Sequence, residues 1–214
     1  MYKRQIHNNE VKILTSVMSY LKTSLTNTDL QELSNKCYSI NNICKGDGGG
    51  LSGGCLIDMF ISKFFETKLK EYTEYRNGEA DMKICNIPLS QKKINGKSTI
   101  ALDWSKNNSP CKKEYFTNNI LIINLKTEQW WKAAPKDKQD DIIYNDTINA
   151  GIYIINKNYC KNNIKLSSNN KTNTLINNES LYRMIKNSIT DNLYIEIPAP
   201  TKDIEFNILN AFLE

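Results

Sequence analysis

The chain has one histidine, His7, among its 214 residues, and that scarcity excludes more chemistry than any other feature of its composition. A Ser-His-Asp or Cys-His arrangement needs a central imidazole to take the nucleophile's proton, and only a fold that brought His7 back into the site could supply one. The six cysteines, Cys37, Cys44, Cys55, Cys85, Cys111 and Cys160, form no C-x-x-C pair, which together with the lone histidine disfavours a zinc site. Four of them lie in or beside apolar runs, where a reduced thiol packs as a small hydrophobe, so a reducing cytoplasmic compartment is expected. No run approaches the roughly 18 apolar residues of a membrane helix, and "MYKRQIHNNEVKIL" lacks the continuous apolar stretch of a secretory signal. No membrane partner is therefore expected. Catalysis in such a chain has to run on carboxylates, lysines and a metal ion.

What is present is a moderate basic excess, 28 Lys and Arg against 23 Asp and Glu for a net +5, which admits a polyanionic partner without requiring one. A chain of this length suits one domain. Residues 10–36 read as helical from the recurrence of Val11, Leu14, Val17, Met18 and Leu21. "SLTNTDLQELSNK" reads as a second helix capped by Asn27 or Thr28, giving a helical N-terminal layer over residues 1–45. "CKGDGGGLSGG", residues 44–54, reads as too glycine-rich for regular structure, and without a Gly-Lys-Ser/Thr it does not match a phosphate loop. It leads into an amphipathic helix, "CLIDMFISKFFETKLKEY".

From residue 79 the pattern changes to strands. "ADMKICN", "IPLSQKKI", "STIALDW" and "NNILIINLK" predict a meander of about four strands. "AGIYIIN" and "NLYIEIPAP" predict further strands, while "NESLYRMIKNSI" and "TKDIEFNILNAFLE" predict helices, the last with Thr201 and Glu205 near capping-box spacing. The fold class expected is α+β (mixed α/β), with the catalytic core over residues 46–130 and further strands and helices over 131–214.

Strand alternation assigns faces. Ala80, Met82 and Ile84 point one way, Asp81 and Lys83 the other. On the next strand Ile87 and Leu89 continue the apolar face, Pro88, Ser90 and Lys92 take the polar one, and Gln91 and Lys93 extend the first. Asp81 and Lys92 can thus share a face if the strands pair through the "CNIP" turn. A carboxylate followed about ten residues later by a lysine suits metal-dependent phosphodiester hydrolysis, the carboxylate binding Mg²⁺ and the lysine serving the attacking water or offsetting charge. The plain alternative is the wet face of an antiparallel sheet with lysines guarding its edge.

Asp81 followed by "SQK" (Ser90, Lys92) or "QKK" (Gln91, Lys93) resembles the PD-(D/E)xK nuclease superfamily, in particular type II restriction endonucleases. The preceding "LSGGCLIDMFISKFFE" is similar to the glycine-led helix that often carries an acidic residue there, with Asp58 or Glu66 in that place. The likeness spans residues 50–107. Ser90 or Gln91 stands where the family usually has a second carboxylate, and Asp58, Glu66, Glu79 and Asp103 are candidates to replace it. The resemblance implies a central mixed β-sheet flanked by helices, Mg²⁺ held from among Asp81, Asp58, Gln91 and Ser90, and Lys92, which alternation places on Asp81's face, at the water with Lys93 as its stand-in. It also implies a homodimer on palindromic double-stranded DNA, with a cognate DNA methyltransferase as functional partner.

Two polar clusters offer contacts to phosphates or base edges: Lys97, Ser98, Ser105, Lys106 and Asn107 around "STIALDW", and "SSNNKTN" with Lys171. Trp130 and Trp131 could stack on DNA, although core packing of at least one is the commoner use. A structure-selective or repair nuclease of the same superfamily, and a non-catalytic basic nucleic-acid-binding module, are the alternative functions.

Overall fold

A computed structural model describes residues 2–43, 50–77, 80–94, 100–102, 117–124, 150–163, 174–176 and 178–200. Helices α1 (Tyr2–Ser24) and α2 (Asn27–Ile43) form the N-terminal layer and bury Leu14, Val17, Met18, Leu21, Leu30, Leu33 and Ile40. The break between them is set by Thr26, where Asn27 or Thr28 was the expected cap. Thr26 Oγ1 accepts the Asp29 amide at 3.1 Å, and Asp29 Oδ2 accepts the Thr26 amide at 2.9 Å, a reciprocal capping box. Only Thr26 has a carboxylate three residues on; the corresponding residue for Asn27 is Leu30, and for Thr28 it is Gln31, whose amide goes to Asn35 and the Ala199 carbonyl.

Helix α3 (Gly50–Lys68) also departs from expectation, because Gly50, Gly53 and Gly54 lie inside it. Each glycine costs a helix about 1 kcal/mol relative to alanine. The buried stripe of Ile57, Phe60, Ile61, Phe64 and Phe65 further along offsets this, at roughly 1.5–3 kcal/mol per large side chain. Lys68 joins its C-terminal end to α2 through Asp29 at 2.8 Å and Glu32 at 3.1 Å. Burial would raise the Asp29 carboxyl, but hydrogen bonds from Lys68 and Thr26 outweigh it and hold the group at about 2. The helix stops at Lys68, short of the expected Tyr72, which instead begins strand β1 (Tyr72–Asn77).

The main sheet has six strands in the order β1-β2-β3-β5-β6-β8. Strands β1, β2 (Ala80–Ile84) and β3 (Ile87–Ile94) are an antiparallel meander. The expected fourth strand leaves it: β4 (Ile100–Leu102) pairs with β7 (Thr174–Ile176) in a separate two-stranded sheet. Strand β5 (Asn119–Asn124) then lies parallel to β3, because residues 95–118 between them are long enough for the crossover that a parallel pair needs. Its "ILIIN" is buried throughout, as befits a strand covered on both faces. Strands β6 (Gly151–Ile155) and β8 (Tyr194–Glu196) complete the sheet antiparallel.

Each face has its own helices. Met82, Leu89, Leu121, Ile123, Ile152 and Ile154 pack with α1–α3. Ile120, Ile122, Tyr153 and Ile155 pack with Cys160 of α4 (Lys157–Asn163) and Leu181, Met184 and Ile185 of α5 (Asn178–Thr190). The architecture is α+β, a mixed sheet flanked by helices. The described cysteines Cys37, Cys85 and Cys160 are free thiols. No helix among the described residues is long and apolar enough to cross a membrane. The expected helix from Thr201 lies outside the described residues.

Close approach of β6 and β8 makes Gly151 obligatory. A Cβ there would stand 2.6 Å from the Ile195 carbonyl oxygen and 3.0 Å from Tyr153 Cε2. Gly151→Ala is expected to lower stability by about 1–3 kcal/mol, read as a shift in the urea unfolding midpoint; an unchanged midpoint would contradict this packing.

Candidate active site

The β2–β3 hairpin turns on Cys85 and Asn86, at φ 50° and 63°, the paired left-handed conformation whose twist matches a two-residue hairpin. The turn sets a register of Ile84 opposite Ile87, Lys83 opposite Pro88 and Met82 opposite Leu89. There the pairing ends. The next amide, on Gln91, donates to Asp81 Oδ2 at 2.7 Å instead of to a backbone carbonyl, and Ser90 Oγ approaches the same oxygen at 3.4 Å. From Leu89 onward β3 pairs with β5.

Register with β5 assigns the side chains of β3. Gln91 and Lys93 lie beside Leu121 and Ile123, on the face covered by α1–α3, while Ser90 and Lys92 lie beside Ile120 and Ile122, on the face of α4 and α5. On the first face α3 presents Asp58, whose backbone carbonyl accepts Gln91 Nε2 at 3.4 Å. Although Asp58 retains solvent contact, loss of water holds its carboxyl above the usual range. Lys93, the hydrogen bond donated by the Gln91 side chain and then Lys92 pull it down, and the negative charge of Asp81 adds to the rise. Burial pushes the Cys37 thiol up to about 12, with Lys93 and Asp58 acting in opposite senses, so α2 closes the same cluster.

Asp58, Gln91 and Lys93 thus lie on one face of β3 and Asp81, Ser90 and Lys92 on the other, joined where Asp81 reaches the Gln91 amide, although more than thirty positions separate Asp58 from the lysines. Gln91 is 8% exposed, and its Oε1 has no hydrogen-bond partner among the described residues. Glu66 is not brought in: it faces solvent and pairs with Lys63 at 2.9 Å. Lys83 is directed elsewhere, 3.8 Å from the centroid of the Tyr75 ring. Glu79, Lys97, Ser98, Asp103, Ser105, Lys106, Asn107, Trp130, Trp131 and Lys171 lie outside the described residues. Two participants had no sequence signal of their own. The Gln91 backbone amide is invisible to side-chain alternation, and Cys37 reaches the cluster only through the packing of α2 on α3.

No protein-family model matches the chain, and no curated protein matches it. Among solved structures it is similar to a restriction endonuclease in complex with substrate DNA, with a TM-score of 0.54 and 17% sequence identity, over 87% of this chain and 91% of that one. At this identity the likeness is one of fold.

A carboxyl whose pKa is raised on folding binds its proton more tightly in the folded chain, so its contribution to stability is lost as pH rises from the unfolded value through the raised one. At pH 7 the Asp58 charge thus works against the fold. Asp58→Asn, unfolded in urea at pH 7 with EDTA present, is expected to be at least as stable as the parent chain. A clearly lower midpoint would show that the carboxylate is a structural group.

Proposed function

We propose that the chain is a Mg²⁺-dependent endodeoxyribonuclease that hydrolyses double-stranded DNA at a short specific sequence, as a type II restriction endonuclease does. The observation that carries this reading is the convergence of Asp81, Asp58, the unpartnered Gln91 Oε1 and two lysines where the β2–β3 pairing ends. The fold shared with a restriction endonuclease solved on its substrate DNA supports it.

The donors fit the metal. Among the described residues no group of three or more His, Cys, Asp or Glu gathers, so a site here would consist of Asp58, Asp81 and the Gln91 amide oxygen. All are hard oxygen donors of the kind Mg²⁺ selects, and a buried amide oxygen without a hydrogen bond is an acceptor open to a cation. When bound, Mg²⁺ supplies Lewis-acid polarisation of the scissile phosphate and a more acidic water. Asp81 is oriented for this by the Gln91 amide, which holds Oδ2 and leaves Oδ1 for other work. Ser90, itself 1% exposed, serves in this reading as a support for Asp81.

Of the two lysines this reading gives the water or the developing charge to Lys93, where strand alternation pointed to Lys92. Lys93 shares a strand face with Gln91 and exerts the larger charge effect on Asp58. Lys92 lies on the other face, where it can meet a phosphate as a point charge. Residues 1–214 act in this proposal as a single nuclease domain. The net charge of +5 suits the DNA, a homodimer matches a palindromic site, and a cognate methyltransferase would protect the host's own copies.

Plasmid incubated with the protein and Mg²⁺ should give discrete fragments, abolished by EDTA. Nicks or a smear would indicate a structure-selective or repair nuclease, and intact plasmid a non-catalytic binding module. Asp81→Ala should remove detectable cleavage while DNA binding in a gel-shift assay persists; full cleavage by that variant would sink the proposal.

A separate comparison ranks the lysines. Lys93→Ala is expected to lower the single-turnover cleavage rate by roughly 10²–10³-fold, and Lys92→Ala by less than about tenfold. The reverse order would assign the role to Lys92.

A further inference from the structure

Away from the end of the β2–β3 pairing, one cation is held without a counter-charge. Strand β2 carries Lys83 two residues beyond Asp81 and on the same face. Its ammonium lies 3.8 Å from the centroid of the Tyr75 ring, and among the described residues it makes no ion pair, with Asp81 or with any other carboxylate. A carboxylate partner would cancel the charge, whereas a π face fixes the ammonium and leaves its charge available to an anion. The register of β1 brings the ring there. Glu74 pairs with Met82 and Asn77 with Ala80, so Tyr75 and Arg76 both stand against Asp81, a bulge that leaves Tyr75 diagonal to Lys83. A lysine that only guarded the sheet from edge pairing belongs on β1, the outer strand; Lys83 is one strand further in.

Among the described residues the face around this pair is open. The apolar cluster under α4 and α5 takes side chains from β5 and β6 and none from β1 or β2. On that side of the meander Thr73 and Asp81 are exposed, and Tyr75, Lys83 and Lys92 are half-buried. Two residues of a strand advance about 6.8 Å, and consecutive phosphates of one B-DNA strand lie roughly 6–7 Å apart, so a backbone whose scissile phosphate sits at Asp81 brings its neighbour to Lys83. Resting on the nuclease reading above, we propose that Lys83 is a DNA-binding residue that takes the phosphate next to the scissile one, with Tyr75 as the positioning residue that holds its ammonium ready. The open face of β1 and β2 is then a track for the backbone of the cut strand, and Lys92, on the same side of β3, extends it. Holding the ammonium against a ring removes rotamer freedom before the DNA arrives, so less entropy is lost on binding.

The test reads the salt dependence of DNA binding, by fluorescence anisotropy of a labelled mixed-sequence duplex with EDTA present, so no turnover is needed. Each phosphate contact adds about 0.9 to the slope of log affinity against log salt. Lys83→Ala is expected to lower that slope by about 1 and to weaken binding roughly five- to tenfold near 100 mM salt, while Lys83→Arg keeps the parent slope. Tyr75→Phe should behave as the parent, and Tyr75→Leu should weaken binding about two- to fivefold at an unchanged slope, because the cation remains but is no longer held. Lys63→Ala, at the solvated pair on α3, is the control and should change neither quantity. A Lys83→Ala chain that keeps both the slope and the affinity of the parent would overturn the proposal, as would an equal drop in slope for Lys63→Ala. Should Lys83→Ala fail to fold, Lys83→Met, which keeps an apolar stem against the ring, decides in its place. With the cut position mapped on a short duplex, an uncharged methylphosphonate beside the scissile phosphate should weaken binding by the parent and leave Lys83→Ala unaffected; equal sensitivity of the two would put the contact elsewhere and sink the assignment. If the parent cuts plasmid while Lys83→Ala binds as the parent does, only this contact is wrong; if the parent neither binds nor cuts DNA, the nuclease reading falls with it.

Discussion

A single hydrogen bond, from the Gln91 amide to Asp81 Oδ2 at 2.7 Å, organises the proposed site. Up to Leu89 the hairpin is an ordinary antiparallel pair held by its two-residue turn. The carboxylate then takes the donor that a ladder would have sent to a carbonyl, and an amide bonded to a charged acceptor is stronger than one bonded to a neutral one. The same bond positions Asp81, marks where β2 and β3 cease to pair, and fixes the backbone of the residue whose side chain reaches Asp58.

Around that bond the fold is asymmetric in purpose. The centre of the sheet, β5 and β6, is buried on both faces by aliphatic side chains and supplies rigidity. Polar groups enter β3 at Ser90 and Gln91, beside strand β5, where water has been excluded but chemistry remains possible. A raised Asp58 carboxyl and an unpartnered amide oxygen both oppose folding. Their persistence beside an apolar core supports the functional reading proposed for this cluster.

Much of the fold was legible in residue patterns. Alternation located β2 and β3, short β-branched apolar runs between turn residues located β5, β6 and β8, and helical patterns located α1, α2 and α5. Failures came where a distant partner decided. Gly50, Gly53 and Gly54 became helical because the residues after them bury against α1, α2 and the sheet. "STIALDW" left the meander because its pairing partner lies more than seventy residues later, at Thr174–Ile176.

For the site, the sequence by itself determined which chemistry is available: one histidine, no C-x-x-C, a carboxylate and two adjacent lysines on neighbouring strands, and an acidic residue on the helix before them. Side-chain alternation follows from the pleat, so it could state that Lys92 and Lys93 point to opposite faces. It could not state which of those faces Asp58 occupies, because that depends on which side of the sheet α3 packs. Nor could it state that Asp81 would bond to backbone and end the ladder. Only tertiary structure chose between the two lysines' surroundings, since hydrogen-bond partners and burial come from segments that chain order keeps apart.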